Sequence, residues 1–183
     1  MRLVRVLVGC EESQSVTIEL RKLGIEAFSC DIQPCSGGHP EWHYQQDIFE
    51  VIKLGWDAMI CFPPCTYLTV TGARWLYNKD GSKNAPRWIA QNEAVEFVKK
   101  LYYSDIKHIA IENPVGHLSS TWIKPTQINN KGKKRFMSEW YWETSKKKGK
   151  ERQIIRSKTF PGIAKAMAKQ WGEYLIKETF EIQ

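Results

Sequence analysis

No stretch of this 183-residue sequence approaches the roughly 20 consecutive apolar residues that a bilayer-spanning helix needs, so no membrane span is expected. The opening, Met1 to Gly9, reads as a first core strand and not as a secretory signal, and no export is expected. Cysteine is scarce and odd in number, five in all, with several inside strand-like runs. That makes a poor disulfide framework, and a reducing, cytoplasmic setting is expected. There is no Cys-x-x-Cys knuckle, the usual mark of structural zinc; the nearest set, Cys30, Cys35, His39 and His43, draws one member from a strand, so no metal is expected. Internal repeats and low-complexity linkers are also missing. Residues 1–183 are therefore expected to form a single domain, long enough for one real core and too short for two ordinary ones.

What is present is positive charge and an alternation of strand and helix signals. A net charge of +7 favours a polyanionic partner, because Lys and Arg gain affinity by displacing counterions from phosphates. The hydrophobic share of 42% is that of a globular chain. Arg2 to Gly9 reads as a strand, Cys10 to Ser15 as a polar turn in which Ser15 is expected to cap, and Val16 to Leu23 as a helix ended by Gly24. Ile25 to Cys30 reads as a second strand closed by Asp31. An acidic residue there is placed to accept hydrogen bonds from ribose hydroxyls. The turn after the first strand has Gly9 as its only glycine and lacks Gly-x-Gly-x-x-Gly, which argues against a pyrophosphate and toward a phosphate-free nucleoside cofactor such as S-adenosyl-L-methionine. Asp47 is a second acidic candidate, for an adenine amino group, if it too follows a strand.

The centre of the chain is Asp57-Ala58-Met59-Ile60-Cys61-Phe62-Pro63-Pro64-Cys65-Thr66, an apolar run too short for a typical helix and stopped by two prolines. It reads as a buried strand delivering Cys65 to the loop at its carboxyl end, where ligands bind in open α/β sheets. The polar segment 78–84 is expected to be loose, Pro86 to open a helix, and Lys107 to Ile111 to form a strand ending in Glu112-Asn113-Pro114. If that strand neighbours the first, Glu112 stands beside Cys65. Lys131 to Arg156 is strongly basic and carries Phe136, Trp140, Tyr141 and Trp142, a pattern shared by nucleic-acid surfaces and by ordinary solvated loops. Ile163 to Trp171 has helical composition and is expected on the sheet's flank.

Together these residues resemble the DNA (cytosine-5) methyltransferase family, most closely its short bacteriophage and prophage versions. Pro64-Cys65-Thr66 with Thr69, Gly72 and Arg74 is similar to the family's Pro-Cys-Gln loop, and Glu112-Asn113-Pro114-Val115-Gly116 to its Glu-Asn-Val-x-Gly segment. Thr159 to Ala164 is similar to the family's last motif. The resemblance implies a Rossmann-like methyltransferase fold, a mostly parallel sheet flanked by helices. It implies Cys65 as nucleophile, Glu112 as the acid near the base, Asn113 as loop support and Arg74 on the base or its phosphate. The implied S-adenosyl-L-methionine site comprises Gly9, Glu11, Asp31, Ile32, Asp47, Ile48, Pro63 and Ala164. DNA is the implied partner, with RNA or a free cytosine nucleotide as alternative acceptors and a non-catalytic nucleic-acid or host-protein binding module as the non-enzyme alternative. The chain departs from the family in three places. Thr66 stands where the family has Gln, the Gln-x-Arg-x-Arg motif has only Gln153-Ile154-Ile155-Arg156 as a counterpart, and the basic, aromatic stretch 120–157 stands in place of a target-recognition domain.

Overall fold

The structure, a computed structural model, describes residues 3–114, 116–124, 146–149, 151 and 161–181. Five strands form one sheet: β1 (Arg5–Gly9), β2 (Glu26–Asp31), β3 (His43–Gln45), β4 (Ala58–Cys61) and β5 (His108–Ile111). Their order is β3-β2-β1-β4-β5 and every pair is parallel. A parallel sheet covered by helices on both faces needs strands that are apolar on both sides. β4 meets that demand with Ala58, Met59, Ile60 and Cys61 all buried, and β1 with Val6, Leu7 and Val8.

Among the described residues the helices are α1 (Ser15–Lys22), α2 (Ile48–Val51), α3 (Ala85–Tyr102), α4 (His117–Thr121) and α5 (Pro161–Glu181). The period-two alternation of the strands divides the core. Val6, Val8, Ala58 and Ile60 pack with Val16 and Leu20 of α1 and with Ala164, Ala168 and Leu175 of α5. Leu7, Met59 and Cys61 point the other way, toward Ile48 and Val51 of α2 and Leu101 of α3. Small residues let α5 lie close: a Cβ on Gly172 would stand 2.9 Å from Ile25 Cδ1 and 3.1 Å from Leu23 Cδ1. α5 thus continues well past Trp171, where the sequence pattern ends it. The arrangement is an α/β fold with a five-stranded all-parallel sheet flanked by helices, compatible with a Rossmann-like fold. Among the described residues no helix is long and apolar enough to cross a membrane.

Three local expectations need correction. β1 begins at Arg5, whose N–H donates to the Asp57 carboxylate at 2.8 Å, and residues 3 and 4 before it are not strand. Ser15 does not cap α1. The cap position is Gln14, held in the left-handed region at φ 56°, and the capping oxygens come from Glu11. The segment 78–84 is a closed turn: Asn78 N–H donates to the Ser82 carbonyl at 2.8 Å, Ser82 N–H to Asp80 at 3.0 Å, and Tyr77 pairs with Lys83. Its polar side chains bond to one another, which composition alone does not reveal.

From β1 the chain winds outward through β2 and β3, then returns to the other side of β1 as β4 and β5. In open α/β sheets such a reversal is where a ligand crevice forms, at the carboxyl ends of the strands, here β1 and β4. Gly9 lies on one lip of it, and the loop carrying Cys65 leaves from the other.

Candidate active site

The β4 ladder continues one step beyond the strand, Phe62 N–H donating to the Gly9 carbonyl at 3.0 Å, before Pro63 and Pro64 end it. Cys65 then begins a tight turn, its carbonyl accepting from the N–H groups of Leu68 at 2.9 Å and Thr69 at 3.1 Å. Leu68 is fully buried among Val95, Val98 and Leu118 and anchors the loop. Two side chains of α3 hold the remaining carbonyls: Arg87 Nη2 donates to Thr66 at 3.2 Å and Gln91 Nε2 to Tyr67 at 2.9 Å. The loop is therefore built from the helix beneath it, and Cys65 is half-buried at its start.

Glu112 leaves β5 beside it. Its N–H donates to the Cys61 carbonyl at 2.9 Å, so the two loops start one hydrogen bond apart. They meet again at Thr69 and Gly116, which pair antiparallel, and at His117, whose N–H donates to the Leu68 carbonyl at 2.8 Å. Only glycine fits at 116, since a Cβ there would lie 2.2 Å from the Leu68 carbonyl oxygen. Asn113 Nδ2 reaches the Pro63 carbonyl at 3.4 Å and ties the loops a third time.

Electrostatics couples the two groups. Burial pushes the Cys65 thiol above its ordinary pKa, and the negative charge of Glu112 pushes it further. Glu112 keeps part of its surface open to solvent, yet loss of water around its carboxyl raises its pKa as well. Asn113 Oδ1 and Gln91 Oε1 are buried acceptors with no hydrogen-bond partner among the described residues. An unmet buried acceptor costs about 1–3 kcal/mol, so the Asn113 and Gln91 oxygens are acceptors left over by the packing of the two loops. Arg74 lies on a 3-10 turn, Val70–Leu76, with its guanidinium 4.6 Å from the Trp75 ring centre; it is exposed and forms no ion pair with Glu112.

The residues expected around a cofactor divide into two groups. Gly9, Ile48, Pro63, Ala164 and Glu11 are packed inside. A Cβ on Gly9 would stand 2.2 Å from Ile48 Cδ1 and 2.9 Å from Cys61 Sγ, so that glycine serves close packing at the end of β1. Ala164 belongs to the α5 core. Glu11 is 3% exposed and turned toward α1, accepting from Val16 N–H at 2.6 Å, Thr17 N–H at 3.3 Å and Thr17 Oγ1 at 2.8 Å. Desolvation outweighs those hydrogen bonds and raises its pKa to about 7.

Asp31, Ile32 and Asp47 form the second group, at the strand ends. Asp31 closes β2, spends one oxygen on Gln33 N–H at 2.9 Å, and has its pKa raised mainly by burial. Asp47 follows β3 and caps α2 through Phe49 N–H at 2.9 Å. Both carboxylates, after burial and Cys10, help push the buried Cys30 thiol up to about 12, which puts them around one point. Beside them Ile32 is 77% exposed, a bare apolar side chain next to two carboxylates. That donor set fits a nucleoside: carboxylate for ribose, apolar side chain for a purine face.

Several supporting residues carry no sequence signal that singles them out. Cys10, at φ 57°, and Gln14 are non-glycine residues in the left-handed region on the β1–α1 loop, and such strain clusters at functional edges. Gln14 is fully buried and holds the 33–42 loop, its amide bonding the His39 carbonyl at 2.8 Å and the His39 N–H at 3.1 Å. Gln91 and Arg87 read simply as helix residues. Gly116 alone had a cue, sitting between a proline-stopped strand end and a helix. Of the metal candidates, His43 bonds Ser29 Oγ at 2.8 Å and the Gln33 carbonyl at 2.9 Å, while His39 stacks on Trp42 with ring centres 3.8 Å apart. Among the described residues no three Cys, His, Asp or Glu side chains assemble as a ligand set. Most of the basic segment 120–157, including Gln153 to Arg156, lies outside the described residues, as do Thr159 and Phe160.

No protein-family model matches this chain, and no curated protein matches it either.

Proposed function

We propose that the chain is an S-adenosyl-L-methionine-dependent cytosine-C5 methyltransferase acting on DNA. The observation that carries the reading is the pair Cys65 and Glu112, on loops from neighbouring parallel strands, tied together three times and electrostatically coupled at the crevice where the sheet reverses direction. A binding module has no use for a thiol and a carboxyl held in this way. Carbon 5 of cytosine is a weak nucleophile, and addition of the Cys65 thiolate at carbon 6 converts the ring to an enamine. Glu112, whose carboxyl is made easier to protonate by desolvation, would share a proton with N3 as charge builds on the ring. Asn113, through its bond to the Pro63 carbonyl, keeps the two loops in register. Asp31, Ile32 and Asp47 would hold S-adenosyl-L-methionine, which when bound supplies an electrophilic methyl group. Loss of the carbon-5 proton to a base then expels the Cys65 thiolate. A duplex target must first be flipped out of the stack, at a cost of a few kcal/mol.

The test is incubation with S-adenosyl-L-methionine and DNA containing 5-fluorocytosine, then a denaturing gel. Fluorine cannot leave as the proton does, so the enzyme is expected to stay covalently attached. The shifted band should vanish in Cys65→Ala and weaken strongly in Glu112→Gln. Cofactor binding without an adduct on DNA would overturn the DNA reading and move the search to RNA or nucleotide acceptors. An adduct that survives Cys65→Ala would overturn the mechanism.

A further inference from the structure

We infer that the surface running from Tyr67 through the Val70–Leu76 turn to Trp88 is a seat for single-stranded DNA, holding unpaired bases beside Cys65. The inference rests on the reading of the chain as a DNA methyltransferase and adds the state of the strand. Residues 66–89 carry Arg74, Lys79, Lys83 and Arg87 against one carboxylate, Asp80. Rings alternate with those cations. Trp75 is 55% and Tyr77 50% exposed, although exposed large rings are normally kept few on a surface. Three of the four cations sit over rings: Arg74 at 4.6 Å from the Trp75 centre, Arg87 at 4.5 Å from Tyr67 and Lys83 at 5.3 Å from Trp88.

The frame beneath is rigid. Trp88 Nε1 donates to the Leu76 carbonyl at 3.0 Å, Tyr77 rests edge-on against Trp88 with centres 6.1 Å apart, and the 78–82 turn closes on itself. Arg87 bonds Thr66, next to Cys65, so the same residue joins this surface to the thiol loop. Rings and cations interleaved in this way bind a strand by stacking on bases and neutralising phosphates. In a duplex both faces of a base are already covered by its neighbours, and a ring on the protein has nothing to stack on. An unpaired strand offers those faces and also removes the cost of flipping the target.

The experiment uses the full chain as Cys65→Ala, without cofactor, and reads fluorescence anisotropy of labelled oligonucleotides. The probes are one cytosine-containing sequence as single-stranded DNA, as duplex DNA and as single-stranded RNA, together with an abasic strand of equal length. Expected is binding to single-stranded DNA about tenfold or more tighter than to duplex or abasic strand. Trp75→Ala with Tyr77→Ala should bring the single strand down to the abasic level, whereas Trp75→Phe with Tyr77→Phe should retain the preference. Both ring pairs are exposed, and an unchanged unfolding midpoint separates lost stacking from lost fold. Equal or tighter duplex binding, an unaffected Ala pair, or RNA bound more tightly than DNA would each overturn the inference. Because no methyl transfer is read, failure here leaves the covalent-trap result standing, and the reverse also holds.

Discussion

Glu11 links the sequence, the fold and a measurable pH effect. Its carboxyl is almost completely enclosed, with a folded pKa of about 7 against 4.5 in an open chain, because desolvation outweighs the hydrogen bonds from Val16 and Thr17. The folded state therefore binds the proton more tightly than the unfolded state, and stability must fall as pH rises between those two values. Each pH unit in that window costs about 1.4 kcal/mol, or about 3 kcal/mol across it, with a plateau above. Urea unfolding of the wild type and Glu11→Gln at pH 5, 6, 7 and 8 measures the effect. Glutamine keeps an acceptor for the α1 N-terminus and has no proton to lose, so the difference cancels Asp31 and Glu112, which shift in the same direction. The wild type should lose about 2 kcal/mol to the variant from pH 5 to 7 and only a few tenths more from 7 to 8, as the curve flattens above the folded pKa. A gap independent of pH would refute the argument that burial governs this carboxyl.

Two further outcomes follow from close packing. Gly116→Ala should destabilise the chain by about 2 kcal/mol and abolish the 5-fluorocytosine adduct, because its Cβ meets a backbone oxygen at 2.2 Å that cannot move without separating the Cys65 and Glu112 loops; thermal unfolding and the gel assay check both parts. Gly9→Ala meets the end of a flexible side chain instead, so its cost, about 1–3 kcal/mol, should be largely recovered in the double variant with Ile48→Val, read as a double-mutant cycle in urea.

Strands β1, β2, β4 and β5 and the helices α1 and α3 were legible because each rests on local pattern: apolar runs, proline stops, a glycine after α1; the short elements β3 and α2 were not, and the neighbouring of β4 and β5 entered only as a condition. Side-chain bonds over long sequence separations were not legible either. Glu11 could be read as a ligand-facing acid as easily as a helix cap, and only the fold shows that Val16 and Thr17 claim it. Ile48 and Ala164 likewise became core residues once α2 and α5 were packed on the sheet. Polar residues 78–84 read as a loose loop because composition reports hydrophilicity and not whether Asn78, Asp80 and Ser82 bond one another. The Cys65–Glu112 pair was legible for a different reason. Two strand ends stopped by proline, each carrying a reactive side chain, need only one fact to become a site, namely that the strands are neighbours.

On the proposed reading, that pair would also keep the site quiet without substrate. Burial holds Cys65 as a thiol, and an ionised Glu112 beside it makes the thiolate costlier still. Burial equally favours the neutral acid at Glu112, and a neutral Glu112 removes the repulsion while supplying a proton donor. The two protonation states are therefore coupled in the productive direction: the form of Glu112 that can donate to a base is also the form that permits Cys65 to ionise. Under the proposed mechanism, a pyrimidine accepting a hydrogen bond from the acid would stabilise that form as its carbon 6 came within reach of sulfur, and the reactive thiolate would be confined to the occupied site.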